Sequence, residues 1–125
     1  MNAQAEVGQV NLKSPEGDIY FWVPAGVDRF DIRVAGEGWG ETVKAALYAP
    51  GDVLIEEKDR ISGRSPHVFS AERDDASRRE IWRMRFEKAS GDTHLGDVFL
   101  TFPESIPPVF SFHPDALLAP GPERD

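Results

Sequence analysis

The chain has 125 residues, 40% hydrophobic and 29% charged, which is enough for one domain with its own apolar core. Its formal net charge of −8 argues against nucleic acid or an anionic membrane as the main partner, because phosphate binding needs a cationic face. It has no cysteine, which removes disulfide frameworks, thiolate chemistry and cysteine-type zinc sites.

Residues 1–6 read as a lead-in, without the basic and apolar regions of a secretion leader, and no apolar run is long enough to span a bilayer. This leaves two expectations, a cytoplasmic protein or a mature segment of a longer exported one. Val7 to Leu12 alternates weakly, as a first edge strand does, and residues 14–17 form a turn. The stretch from Asp18 to Val34 organises the rest. Ile19, Phe21 and Val23 alternate with Tyr20 and Trp22, and Phe30, Ile32 and Val34 alternate with Asp31 and Arg33. Pro24, Ala25 and Gly26 separate the two runs, so a β-hairpin is expected. The first run is apolar on both faces, so Tyr20 and Trp22 need cover from a second layer, a loop, a ligand or a partner.

A glycine-rich loop follows at residues 36–40, then a strand from Thr42 to Tyr48 with Val43, Ala45 and Leu47 on one face. Residues 49–52 are a turn, and Val53 to Lys58 another strand. Residues 59–79 read as the longest irregular region, with a short strand at Val68 and Phe69. Glu80 to Lys88 alternates most cleanly, with Trp82, Met84 and Phe86 inward and Arg83, Arg85 and Glu87 outward. Asp97 to Phe102 is a last strand, apolar on both faces. Pro107, Pro108, Phe110 and Phe112 lie in the tail, where residues 114–118 suit one helical turn. The expected architecture is therefore all-β: an antiparallel, jelly-roll-like β-sandwich of about seven or eight strands. It spans residues 1–102, and the Pro-rich extension at 103–125 packs on the sandwich and ends in disorder.

Three of these elements carry a resemblance. The aromatic strand and turn Tyr20 to Gly26 with the strand to Val34, the hairpin Leu47 to Val53, and the strand Glu80 to Phe86 resemble bacterial pre-peptidase C-terminal-type β-sandwich domains. Ala49 stands where that pattern has an aspartate before the proline, and the acidic cluster that some of those domains use for calcium is not evident. Carbohydrate-binding modules of glycoside hydrolases share the layout. Over residues 18–102 the resemblance implies a non-catalytic accessory domain of a larger bacterial polysaccharide-degrading enzyme, extracellular or periplasmic. Its partners would be a polysaccharide or oligosaccharide and the neighbouring catalytic domain.

Sugar rings present apolar C–H faces, which planar side chains stack against while polar neighbours take the hydroxyls. Trp39 leads the candidates because it sits among three glycines with Glu37 and Glu41 beside it. Trp22, Tyr20 and Tyr48 follow. The competing reading makes Trp39 a lid over the sandwich end. It makes Trp22 and Tyr20 second-layer core, or a docking surface for Phe110 and Phe112. Trp82 reads as core.

No catalytic constellation emerges. His67, His94 and His113 lack metal spacing, so no metal site is assigned. Ser111, His113 and Asp115 have triad residue types in a tail unsuited to preorganised chemistry. The loop at 36–40 lacks a lysine and leads into a strand, so it is no phosphate cradle. Arg73, Arg78, Arg79, Arg83 and Arg85 are interleaved with acids, so cross-strand ion pairs are expected. No cofactor is required, and a structural calcium would fall to the rim carboxylates Glu16, Asp18, Glu41, Asp92 and Asp97. The second functional reading is a structural, interdomain or export-associated sandwich with no ligand of its own.

Overall fold

The computed structural model describes residues 8–13, 15–36, 42–90, 96–106 and 110–112. The regular structure among them is all β: β1 (Gln9–Leu12), β2 (Gly17–Val23), β3 (Arg29–Gly36), β4 (Val43–Ala49), β5 (Val53–Ile61), β6 (His67–Glu72), β7 (Glu80–Lys88), β8 (Val98–Thr101) and β9 (Phe110–Ser111). No helix of the described residues is long and apolar enough to cross a membrane.

The strands form two antiparallel sheets, a four-stranded one in the order β1-β8-β3-β6 and a five-stranded one in the order β5-β4-β7-β2-β9. Strands β1 to β8 pair as β1 with β8, β2 with β7, β3 with β6 and β4 with β5. These are the rungs of one long antiparallel ribbon whose tip is the turn at residues 50–52. The ribbon folds over so that its rungs alternate between the sheets, and β9 adds to the free edge of β2.

The core lies between the sheets and is built by alternation. Along β7 the buried positions are Trp82, Met84 and Phe86, and along β3 they begin at Phe30, Ile32 and Val34. Burial of such side chains contributes about 1.5–3 kcal/mol each. The rings interlock edge to face: Phe30 stands 5.1 Å from Trp82 and 6.3 Å from Phe21.

The expected β2–β3 hairpin is corrected. β2 pairs with β7 and β9, and β3 with β6 and β8, so the turn at 24–27 crosses from one sheet to the other. Facing the runs across the core buries Ile19, Phe21 and Val23 against the opposite sheet's Phe30, Ile32 and Val34, all 4% exposed or less. Alternation names the face that turns inward, and either arrangement satisfies it.

Residues 59–79 are also more regular than expected. β5 runs on to Ile61 and β6 covers His67–Glu72. Both strands lie at sheet edges, where β5 exposes most of its length, so neither needed an apolar pattern to mark it. The Ser62 hydroxyl accepts from the backbone N–H groups of Arg64 and Ser65, which closes the turn between them. β9, the ninth strand, lies in a segment that composition alone presents as tail.

Arg73 ties the end of the sandwich together. Its side chain is 4% exposed and pairs with Glu80 at 3.1 Å. Nε donates to Val27 O at 2.6 Å, Nη2 to Pro24 O at 2.6 Å and Nη1 to Arg78 O at 3.0 Å. One guanidinium thus fixes the β2–β3 turn to the loop between β6 and β7.

Candidate functional site

The two sheets present different outer faces. The four-stranded sheet shows solvent a mixed surface, with Arg29 paired to Glu72 at 3.2 Å and Asp31 and Arg33 exposed beside the exposed Val68 and the half-buried Phe99. The five-stranded sheet carries Tyr20, Trp22 and Tyr48. Tyr20 and Trp22 on β2 and Tyr48 on β4 point outward because their neighbours Ile19, Phe21, Val23 and Leu47 fill the core.

Register brings two of these rings into line. Tyr20 stands opposite Arg83, and Arg83 opposite Tyr48. The row extends to Ser111 at one end and Leu54 at the other, crossing all five strands. Trp22 lies off this row, opposite Ile81, with the Arg79 guanidinium 4.6 Å from its ring centroid. All three aromatics are half-buried.

Arg83 is the centre of the face. Its guanidinium lies 3.9 Å from the Tyr48 ring centroid, and its Nη groups donate to Asp18 at 3.2 Å and Asp52 at 2.9 Å. Arg85 shares Asp18 at 3.3 Å and takes Glu87 at 3.0 Å. The Glu87 carboxylate first, and Asp18 after it, raise the Arg85 guanidinium further above its ordinary value. Lys44 pairs with Glu57 at 3.6 Å. These pairs set four carboxylates, Asp18, Asp52, Glu57 and Glu87, against three cations, Lys44, Arg83 and Arg85, so the face is close to neutral.

Beside the row is an open pocket of about 150 Å³. Tyr20, Ile81 and Arg83 border it on the sheet, and Pro50, Gly51 and Asp52 of the β4–β5 turn close its end. Asp52 has a left-handed backbone, with φ of 62°, and Gly51 before it has φ of 82°. That turn conformation sets the exposed Asp52 carboxylate over Arg83. The pocket therefore joins an aromatic wall to a donor and an acceptor, the combination that polyhydroxylated rings require.

Trp39, Glu37 and Glu41, the leading loop candidates, lie outside the described residues, as do Asp92, His94, His113 and Asp115. Tyr20, Trp22 and Tyr48 come together on one face. The sequence marks Arg83 only as an ion-pair residue and Asp18 only as a rim carboxylate for calcium, and it gives Asp52 no role in a site. The outward position of Arg83 on the cleanest alternating strand was the available signal, whereas Asp18 and Asp52 reach it only through strand pairing. Of the arginine-rich segment, Arg73, Arg83 and Arg85 resolve into ion pairs, with two of the carboxylates coming from β2 and the β4–β5 turn, while Arg79 lies over the Trp22 ring. His67 is bonded to Glu56 at 2.7 Å and stacks edge-on against Phe69 at 4.7 Å. Among the described residues no three acidic or histidine side chains group as metal ligands. No protein-family model, curated protein or solved structure matches this chain.

Proposed function

We propose that this chain is a non-catalytic accessory module that binds polysaccharide or oligosaccharide through the outer face of its five-stranded sheet. The observation that carries the reading is the row Tyr20, Arg83 and Tyr48 beside the pocket closed by Asp52. Tyrosine rings offer planar apolar surface to the C–H faces of sugars at a low cost in side-chain entropy. Arg83 and Asp52 supply the donor and acceptor for hydroxyls, and their pairing leaves little net charge to attract an ion. The pairing of β1 to β8 as rungs of one folded ribbon supports a jelly roll as the finer description of the sandwich. The module belongs to a larger bacterial polysaccharide-degrading enzyme, outside the cell or in the periplasm, with the catalytic domain as its neighbour.

A specific observation favours the structural alternative. Arg79 and Arg83 lie over the rings of Trp22 and Tyr48, and a face rich in tyrosine, tryptophan and arginine also suits protein docking. The experiment is calorimetric titration of the domain against a panel of soluble polysaccharides. Saturable binding to one class, weakened at least tenfold in a folded Tyr20→Ala variant, is the expected result. No binding across the panel would transfer the face to the neighbouring domain.

A further inference from the structure

The row has a direction and a period. It crosses the strands rather than following one, because Tyr20, Arg83 and Tyr48 are register partners on β2, β7 and β4. Neighbouring strands lie about 4.8 Å apart, so the two tyrosines stand two spacings, about 10 Å, from each other. Two pyranose rings in an extended, β-linked chain repeat over about the same length as that doubled strand spacing. A chain laid across the strands would set alternate rings on Tyr20 and Tyr48, with the ring between them over Arg83.

Charge narrows the class further. The guanidinium of the row and the one beside it are already bound by carboxylates: Arg83 by Asp18 and Asp52, and Arg85 by Asp18 and Glu87. An anionic sugar would have to displace a carboxylate held at 2.9–3.3 Å, whereas hydroxyls add to the groups in place. The far end of the row is apolar, at the exposed Leu54. An α-linked helical chain curves away from a row only two tyrosines long, and an extended one lies along it.

We infer that the Tyr20–Arg83–Tyr48 row binds an extended, β-linked chain of neutral pyranoses running across the strands, with Tyr20 and Tyr48 contacting alternate rings and Arg83 reading the ring between. The inference rests on the glycan-binding reading and adds the geometry and class of its ligand. It makes three rings the smallest unit that reaches both tyrosines.

Calorimetric titration with β-1,4-linked gluco-, manno- and xylo-oligosaccharides of two, three, four and five rings tests it, with an α-1,4-linked series and oligogalacturonate alongside. The expected result is a rise in affinity of at least tenfold from two to three rings in one neutral β-linked series. A folded Tyr48→Ala variant should lose that step, so that its affinity no longer jumps between two and three rings. The wild-type length series carries the test alone if the variant does not fold. Binding that rises smoothly with length, or that is tightest for oligogalacturonate or the α-linked series, would overturn this inference and leave the glycan-binding reading intact. Absence of binding by every oligosaccharide and by the polysaccharide panel would remove both.

Discussion

The Arg83 guanidinium lies 3.9 Å from the centroid of the Tyr48 ring, on the strand paired with it. The same group holds Asp18 and Asp52, and its side chain is 16% exposed, so the stack is largely shielded from water. A partly desolvated cation–π contact is worth about 1–2 kcal/mol, and hydrogen bonds between charged groups about 1.5–3 kcal/mol. Arg83→Ala should therefore lower unfolding stability by about 1–3 kcal/mol after partial solvent screening. Arg83→Lys should recover less than half of the loss, because a lysine lacks the planar fork that stacks and donates to two carboxylates. Urea denaturation midpoints measure both, and an unchanged midpoint in Arg83→Ala would show that the contact carries no stability.

Arg73 predicts a larger effect. Its buried side chain serves the carbonyls of Pro24, Val27 and Arg78 as well as Glu80. Removing it strands several acceptors and uncovers the end of the core. Arg73→Ala should cost about 3–5 kcal/mol, the range for breaking a buried ion pair by deleting one partner. Thermal and urea unfolding provide the measurement. A loss under 1 kcal/mol would mean that water replaces the guanidinium at little cost.

Two glycines separate backbone conformation from space. Gly8 has φ of 86°, and an added Cβ would sit 2.5 Å from Phe102 O. Gly26 has φ of 92°, with nothing within 4 Å of such a Cβ. Both alanine variants incur the left-handed backbone penalty of about 1–2 kcal/mol, and only Gly8→Ala adds a backbone clash. Gly8→Ala should also strain the bond from Phe102 N to Gly8 O, 3.0 Å long, which holds β1 beside β8. The prediction is a larger loss for Gly8→Ala than for Gly26→Ala in matched denaturation curves; the reverse order would refute it.

Acid stability should report on Asp59. The Ser90 hydroxyl, its strongest influence, donates to this carboxylate and holds its pKa below the ordinary carboxylate value, and the backbone N–H groups of Ser90 and Arg60 act in the same direction. A depressed folded-state pKa contributes stability that is present above the unfolded value and lost as pH falls through the folded one. Ser90→Ala should thus be less stable than the wild type at neutral pH. The difference should shrink as pH falls through the ordinary carboxylate range toward the lower folded-state value of wild-type Asp59. Denaturation at neutral pH and near pH 3 (roughly one unit below the usual aspartate value) makes the comparison, and a gap that widens in acid would contradict it.

Local pattern was enough for the inward faces. Trp82, Met84 and Phe86, and Phe30, Ile32 and Val34, are buried as their alternation requires, because a side chain's face in a strand depends only on its parity. The all-β class and the β4–β5 hairpin at Pro50 to Asp52 follow from the same local signals and turn chemistry. Edge strands were less legible: β6 and the end of β5 are polar because one side of each meets water. Partner choice was not local at all. Parity is indifferent to which strand lies alongside, so only the packing of the whole ribbon separated β2 from β3 and set β2 beside β7. That pairing brought Arg83 between Tyr20 and Tyr48, with Asp18 and Asp52 around it, from positions up to 65 residues apart in the chain. The aromatic types of the candidate site were written in the sequence, and their alignment into a row exists only through strand register.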